Sequence, residues 1–120
     1  MSSDRLLLYL DEIDVTAARL QSFVKGMDEA SFLSDERTQM AVMMGLALIG
    51  EAVAKIDRHN PEFLKQHTEV PWEQIKGMRN LIVHDYFRAE LPIIWKTVMT
   101  SIPDLQSRLA LVRNWHAQGE

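Results

Sequence analysis

The chain has 120 residues, of which 47% are hydrophobic, and this is the size of one domain with a substantial core. A net charge of −4 at pH 7 argues against broad, non-specific affinity for nucleic acid but leaves room for a local basic site. The absence of cysteine excludes disulfides, thiolate catalysis and cysteine-based zinc sites.

The sequence gives no sign of membrane insertion. No stretch approaches the ~20 apolar residues that a membrane-spanning helix needs. The apolar run near the N-terminus is interrupted by Asp11, Glu12 and Asp14, and no basic leader precedes it. We therefore expect a cytoplasmic protein that contacts no membrane.

The first predicted helix begins after Ser2 or Ser3, either of which can cap it. It ends near Lys25, because Gly26 is a common helix terminator. Its apolar residues recur at alternating spacings of four and three, which predicts a continuous seam for packing against another helix. The seam consists of Leu6, Leu10, Ile13, Ala17, Leu20, Val24 and Met27.

The second predicted helix follows residues 34–37 and runs to about His59, just before Asn60 and Pro61. One seam consists of Val42, Leu46, Ile49, Val53 and Ile56, and the remaining surface is made apolar or small by Met40, Met43, Met44, Ala47 and Ala54. A helix that is apolar on most sides is buried on most sides. A second copy of the chain would cover the excess, so we expect a homodimer. A central helix in a monomeric bundle is the alternative.

The rest of the chain also predicts helices. Residues 60–71 form a loop with a short helical turn near residues 62–66, and Pro71 suits the first turn of a helix from Trp72 to about Val83. A last helix begins near residues 88–90 and reaches about Trp115, with Pro103 expected to kink or break it. Its apolar residues are Leu91, Ile94, Trp95, Val98, Ile102, Leu105, Leu109 and Val112. Together these helices predict a single all-α domain over residues 1–120, a four- to five-helix antiparallel bundle.

The most informative stretch is residues 79–86, where Arg79, His84 and Tyr86 flank an apolar run. A fixed cation, a group that titrates near neutral pH and a hydroxyl are what chemistry on a phosphodiester needs. On one regular helix, Arg79 and His84 would lie about 140° apart around the axis, and His84 and Tyr86 about 200° apart. Either the helix therefore ends near His84, or a second copy of the chain completes the site.

Bases outnumber acids in the same region. Between residues 76 and 88, Lys76, Arg79 and Arg88 stand against one acid, Asp85, so any attraction for phosphate is focused there. Each side chain also has a purely structural interpretation. A histidine beside apolar residues is often a core or capping residue, an arginine near a helix end often pairs with a surface carboxylate, and a tyrosine after a helix often packs its ring.

The spacing R-x4-H-x-Y resembles the R-x(4–6)-H-x-Y signature of the HEPN domains (higher eukaryotes and prokaryotes nucleotide-binding). Four longer segments in the same order resemble the HepT-like branch of that family: residues 37–39, 49–52, 71–80 and 86–95. The resemblance covers roughly residues 4–112. The ordered set is far more specific than the short motif alone.

This resemblance implies a fold, an activity and partners. HepT-like proteins are all-α homodimers in which two motifs meet in a cleft at the dimer interface. They are metal-independent endoribonucleases with no cofactor, and they form the toxin half of a type VII toxin–antitoxin module. The implied partners are therefore an RNA substrate and a minimal nucleotidyltransferase antitoxin of the MntA type. That antitoxin attaches AMP to the motif tyrosine, which corresponds to Tyr86.

Roles for the site residues follow from side-chain chemistry once RNA cleavage is assumed. His84 is the candidate general base or acid, and Arg79 is the candidate clamp for the phosphate. Tyr86 would bind a phosphate oxygen or orient His84, and Asn80 would hold His84 or the scissile phosphate. In supporting positions, Lys76 is expected near the substrate, and Glu51 either pairs with Arg79 or lies on the surface.

One departure from the HepT-like pattern bears on substrate recognition. Met40, Met44 and Ala47 stand where polar residues are common in this branch. If the helix that carries them lines the cleft, the cleft is more apolar than usual. This motivates an alternative function, a non-catalytic HEPN dimer that binds nucleotide or RNA and acts as a scaffold for its partner.

Overall fold

All regular structure in the described part of the chain is helical, which confirms the predicted all-α class. The computed structural model describes residues 2–119, and the side chains of residues 5–114. The elements are α1 (Ser2–Phe23), α2 (Glu29–Leu33), α3 (Glu36–His59), α4 (Pro61–Gln66), α5 (Trp72–His84), a 3₁₀ turn (Tyr86–Arg88), α6 (Leu91–Lys96), a π-helical segment (Thr97–Ser101) and α7 (Ile102–Gly119).

The structure differs from the sequence prediction in the bounds of α1, before Gly26, and in an additional short helix after it. Helix α1 already includes Ser2 and ends at Phe23, slightly before the predicted end, and Gly26 follows with a φ of 79°. The short helix α2 was not predicted. Asp28 caps it by accepting a hydrogen bond from the backbone N–H of Ser31 (2.8 Å), and its Phe32 is fully buried. A single turn of helix is too short to show periodicity in the sequence.

Helix α3 has one buried side and one open side. It begins after Asp35, whose carboxylate accepts a hydrogen bond from the N–H of Thr38 (3.0 Å), and it ends at His59 as predicted. The predicted seam is buried throughout: Val42, Leu46, Ile49, Val53 and Ile56. The open face of α3, which we define as Met40, Met44 and Leu48, is 62%, 61% and 51% exposed. The predicted homodimer, which would cover this face, stays a prediction.

Helix α3 also corrects the expectation that no stretch approaches a membrane-spanning helix. Its 24 residues contain a window of mean hydropathy 1.5, so by length and composition alone α3 is long and apolar enough to cross a membrane. In this fold, 61% of that window is buried inside the protein. The core helix of a globular protein has these same properties, so packing within the chain accounts for most of the apolar content.

Helices α1 and α3 pack antiparallel. The guanidinium of Arg5, at the start of α1, donates a hydrogen bond to Nδ1 of His59, at the end of α3 (3.0 Å). Toward the other end, Gly45 faces Leu20 so closely that an added Cβ would clash with the leucine side chain. The predicted seam of α1 is buried from Leu6 to Val24, and it joins one core cluster that extends to Val112 in α7.

The last helix is not broken at Pro103, since helical conformation continues from Leu91 to Gly119; the kink that was the other predicted outcome stays a prediction. Proline lacks an N–H, and its ring clashes with the carbonyl of the residue four positions earlier, here Met99. Met99 lies in the π-helical segment Thr97–Ser101, whose wider turns directly precede α7. Pro103 is then the second residue of α7, where a proline is tolerated. The π-helical segment therefore absorbs the proline without ending the helix.

Candidate active site at the end of α5

Helix α5 ends inside the motif, as the sequence predicted. His84 is its last residue, and Asp85 leaves the helical conformation with φ −150° and ψ 52°. The N–H of Asp85 still donates to the carbonyl oxygen of Leu81 (2.8 Å), which closes the last turn. The chain then enters the 3₁₀ turn that begins with Tyr86. The helix end thus carries Tyr86 off the axis of α5.

The helix end does not bring Arg79 and His84 to one face. His84 is still helical, so it remains about 140° from Arg79 around the axis. Arg79 lies against α3 and is partly buried, whereas His84 is exposed. The sequence left two alternatives: a helix end near His84, or a second copy of the chain that completes the site. The helix end is present, but it moves only Tyr86 away from the helix. Completion of the site by a second copy of the chain stays a prediction.

Arg79 sits at a close contact between α3 and α5. A Cβ added to Gly50 would lie closer than 3.0 Å to Cβ of Arg79, so only glycine permits this approach. Nη1 of Arg79 is 3.8 Å from Oε1 of Glu51, which is an ion pair but too long for a hydrogen bond. Nε of Arg79 is buried and has no hydrogen-bond partner among the described residues. Arg79 is thus a cation with 22% of its side chain exposed, whose Nε is not satisfied by the described part of the chain.

The sequence left two positions open for Glu51, pairing with Arg79 or lying on the surface, and the structure shows both at once. Its carboxylate faces Arg79, yet 45% of its side chain is exposed. A carboxylate at this distance attracts the guanidinium without saturating its donors. Glu51 is placed to orient Arg79 at the boundary between the buried α3–α5 contact and solvent.

Lys76 is held by two acids. Its Nζ lies 2.7 Å from Asp57 in α3 and 3.1 Å from Glu73 one turn earlier in α5, and only 18% of its side chain is exposed. The hydrogen bond that Lys76 donates to Asp57, followed by the one that it donates to Glu73, raises the pKa of Lys76 above its ordinary value. Lys76 therefore cross-links α5 to α3. Its predicted place near the substrate stays a prediction and would require it to leave these acids.

The remaining motif side chains differ in exposure. Asn80 and His84 are exposed, and Tyr86 is partly buried against the core. The ring of Tyr86 meets that of Phe87 edge-on, with centroids 5.4 Å apart and planes at 87°. Phe87 is 89% exposed, and sequence reasoning did not single it out. The only signal for Phe87 in the sequence was its position directly after the motif.

A cleft of about 380 Å³ opens on another side of α5, between α3, α5 and the π-helical segment. Its apolar floor includes Leu46 and Ile49, and Met78 lines it one residue before Arg79. Neither Arg79 nor His84 lines it. The cleft and the motif are therefore separate features of α5.

Comparison with known proteins identifies the family. The chain matches a family described as ribonuclease HepT-like over residues 13–112. It is 33% identical over 105 residues to a protein of Thermococcus cleftensis named probable ribonuclease HepT, covering 88% of this chain and 93% of that protein. A protein of Caldanaerobacter subterraneus, named as a candidate RNase, is 36% identical over 84% of this chain and 88% of its own length. Another from Methanocaldococcus jannaschii, named in the same way, is 30% identical over 93% of this chain and 100% of its own length.

No solved structure matches the chain at a significant level. The family match spans all four segments and the short motif on which the sequence resemblance was based, and it confirms that resemblance. The chain belongs to the ribonuclease HepT-like family.

Proposed function

We propose that this protein is a metal-independent endoribonuclease, the toxin of a toxin–antitoxin pair, and that it acts as a homodimer. The observation that carries the proposal is the setting of the motif in a member of the ribonuclease HepT-like family. Arg79 is partly exposed and has an unsatisfied Nε, and His84 is exposed at the end of the same helix.

The open face of α3 supports the dimer. Met40, Met44 and Leu48 follow one another at intervals of four residues, and each is more than half exposed. Contiguous exposed apolar surface of this kind marks protein interfaces. A two-fold dimer buries the same face of both copies. Because α5 packs directly against α3, such a dimer would set two copies of α5 beside one cleft and supply a second motif to complement the first.

The proposed chemistry is attack of a ribose 2′-hydroxyl on the adjacent phosphorus. One His84 imidazole removes the 2′-hydroxyl proton as the new oxygen–phosphorus bond forms. Arg79 stabilises the negative charge that builds on the phosphoryl oxygens through charge-assisted hydrogen bonds. The bond to the 5′-oxygen then breaks, and a protonated imidazole, in a dimer that of the second copy, supplies the proton to this leaving group.

Tyr86 is the proposed point of control. Its position two residues after His84, in the turn that leaves α5, puts its hydroxyl-bearing ring at the edge of the motif. Transfer of AMP to this hydroxyl by a nucleotidyltransferase antitoxin of the MntA type would add a bulky anion there. The added negative charge would repel RNA phosphate, and the added bulk would obstruct the cleft.

A non-catalytic dimer that binds nucleotide or RNA and serves as a scaffold is the second candidate function. It is favoured by the apolar surface of α3, where exposed Met40 and Met44 offer no polar group to a substrate. This candidate predicts partner binding and AMP transfer without RNA cleavage at any protein concentration.

The deciding experiment measures cleavage of a labelled single-stranded RNA by the purified protein in the presence of EDTA. We expect cleavage by the wild type and a loss of about 10²–10⁴-fold for His84→Ala, because a general acid or base contributes this much. Lys96→Ala, which removes an exposed cation from α6, is the control and should cleave normally. Equal rates for His84→Ala and wild type would remove His84 from the chemistry. Absence of wild-type cleavage, with AMP transfer intact, would favour the scaffold.

A further inference from the structure

We propose that the end of the bundle formed by the start of α1 and the end of α3 is a second RNA-binding surface. We define this basic strip as Arg5, Lys55 and Arg58, together with the rings of Tyr9 and His59. It lies outside the R-x4-H-x-Y motif. The proposal rests on the proposed ribonuclease function. It extends that function by stating the path of the RNA backbone, which would run from the motif across the basic strip.

The strip is organised around Tyr9. His59 stacks on the tyrosine ring with centroids 6.2 Å apart and planes at 24°, and Nζ of Lys55 lies 5.8 Å from the centroid of the same ring. Arg5 donates to Nδ1 of His59 (3.0 Å). Because a guanidinium can only donate, Nδ1 is the acceptor of this hydrogen bond. These contacts hold Arg5 and Lys55 beside the two rings.

Within the described part of the chain, the cations of the strip lack carboxylate partners. Among the side chains of residues 5–114, no carboxylate lies within 4.0 Å of Arg5, Lys55 or Arg58. Lys76 and Arg113, in contrast, each have a carboxylate within 4.0 Å, that of Asp57 and that of Asp11. Like charges three residues apart on a helix, such as Lys55 and Arg58, repel one another. In a protein of net charge −4, an unbalanced group of this kind is a focused site for an anion.

The strip continues from the candidate active site. Glu51, the ion-pair partner of Arg79, precedes Lys55 by one helical turn, or about 6 Å along the axis, and Arg58 lies about 10.5 Å beyond Glu51. Around the axis, the three residues fall within about 60° of one another and of the open face of α3. Along the axis, Lys55 and Arg58 follow Leu48 by about 10.5 Å and about 15 Å, so the strip adjoins the face that a second copy would cover.

This arrangement suits a nucleic-acid strand better than an acidic protein. A strand carries one phosphate per nucleotide, so cations that lead away from Arg79 along one helix face meet successive phosphates of a strand bound at the motif. An acidic protein would not need the strip to be continuous with Arg79. Single-stranded RNA is also the substrate class that the proposed chemistry requires, because attack by the 2′-hydroxyl needs a flexible backbone.

The test measures the affinity of the full-length protein for a fluorescein-labelled single-stranded RNA at several salt concentrations. All proteins carry His84→Ala, so that cleavage does not interfere. The plot of log affinity against log salt concentration has a negative slope, to which each phosphate contact with a single strand contributes about −0.7. In this background, Lys55→Gln with Arg58→Gln removes two such contacts, so the slope should become less negative by about 1.4. The control combines Lys25→Gln with Lys96→Gln, which removes the same charge from exposed positions outside the strip. Its slope should equal that of the background protein.

The outcomes separate this proposal from the proposed function. If the strip variant and the control have equal slopes while RNA still binds, the strip is not a phosphate site. If the background protein binds no RNA, the ribonuclease proposal itself fails. The charge-preserving variant Lys55→Arg with Arg58→Lys should keep the full slope, and its failure to do so would overturn a charge-based role. Binding of polyglutamate by the strip, with the RNA slope unchanged in the strip variant, would assign the strip to an acidic protein instead.

Discussion

The first half of α3 carries large apolar residues on two sides, and the fold buries only one of these sides. On one side, Val42, Ile49 and Val53 are 0–2% exposed and lie in the core, whereas on the other Met40 and Met44 are more than 60% exposed. Packing within one chain accounts for the first side and leaves the second without a cover. Apolar periodicity therefore identifies surfaces that must be buried, but it does not say whether the same chain buries them.

The buried sides of α3 also differ from each other. A Cβ at Gly45 would press on the flexible end of the Leu20 side chain, which can move. A Cβ at Gly50 would press on Cβ of Arg79 and approach the carbonyl oxygen of Ile75, which are close to or part of the backbone of α5. The contact of α3 with α5 is therefore the less adjustable of the two, and it is the contact that positions the motif arginine.

The largest effect is expected from charging the open side of α3. In a two-fold dimer on this face, Met44→Glu buries an unpaired carboxylate from each copy, which costs on the order of several kcal/mol. Light scattering should then give a molecular mass of twice 13.8 kDa for the wild type, as for a dimer, and of 13.8 kDa for the variant, as for a monomer. Leu111→Glu changes an equally exposed apolar residue of α7 and should leave the dimer intact. A wild type that is monomeric at every concentration would mean that the open side needs another partner.

A smaller effect is expected on the packed side, from Gly50→Ala. The added methyl must push α5 away from α3, and such overpacking costs about 1–3 kcal/mol in the free energy of unfolding. Gly77→Ala is the matched control, because no atom lies within 4 Å of its added Cβ, and it should stabilise the protein by about 0.5–1 kcal/mol. Urea denaturation measures both. Equal stability of the two variants would show that the α3–α5 contact yields easily.

Much of the fold could be predicted from local patterns, because these helices have clear periodicity and clear ends. The seam of α1, the bounds of α3 and the end of α5 at His84 all follow from such patterns. The continuity of the last helix through Pro103 could not be predicted, because it depends on a π-helical segment whose sequence is not distinctive. The expectation that no stretch approaches a membrane-spanning helix was wrong, because an uninterrupted apolar run and a high mean hydropathy are different measures.

The candidate site also has features that could be predicted from the sequence and features that could not. The 140° separation of Arg79 and His84 follows from helix geometry alone and persists in the structure, because His84 is still helical. The close contact of Arg79 with Gly50 and the pairing of Lys76 with Asp57 join residues from different helices. Such contacts leave no periodic trace in the sequence. The same holds for the basic strip, since Arg5 and His59 are 54 residues apart.

The smallest effect is expected from the ion pair that supports the α3–α5 contact. Lys76→Met should lower the free energy of unfolding by about 0.5–1 kcal/mol at neutral pH, within the range for partly exposed pairs. Because Asp57 and Glu73 raise the pKa of Lys76 in the folded protein, this contribution is complete below the ordinary value of 10.5 and is lost as pH rises through the folded pKa. The stability difference between wild type and the Lys76→Met variant should therefore shrink above that pH.

The control for this prediction is Lys65→Met, which breaks a pair whose two side chains are 71% and 75% exposed. Its free energy of unfolding should differ little from that of the wild type at any pH. A Lys76 difference that stays constant with pH would mean that the lysine stabilises the α3–α5 contact through its methylene groups and not through its charge.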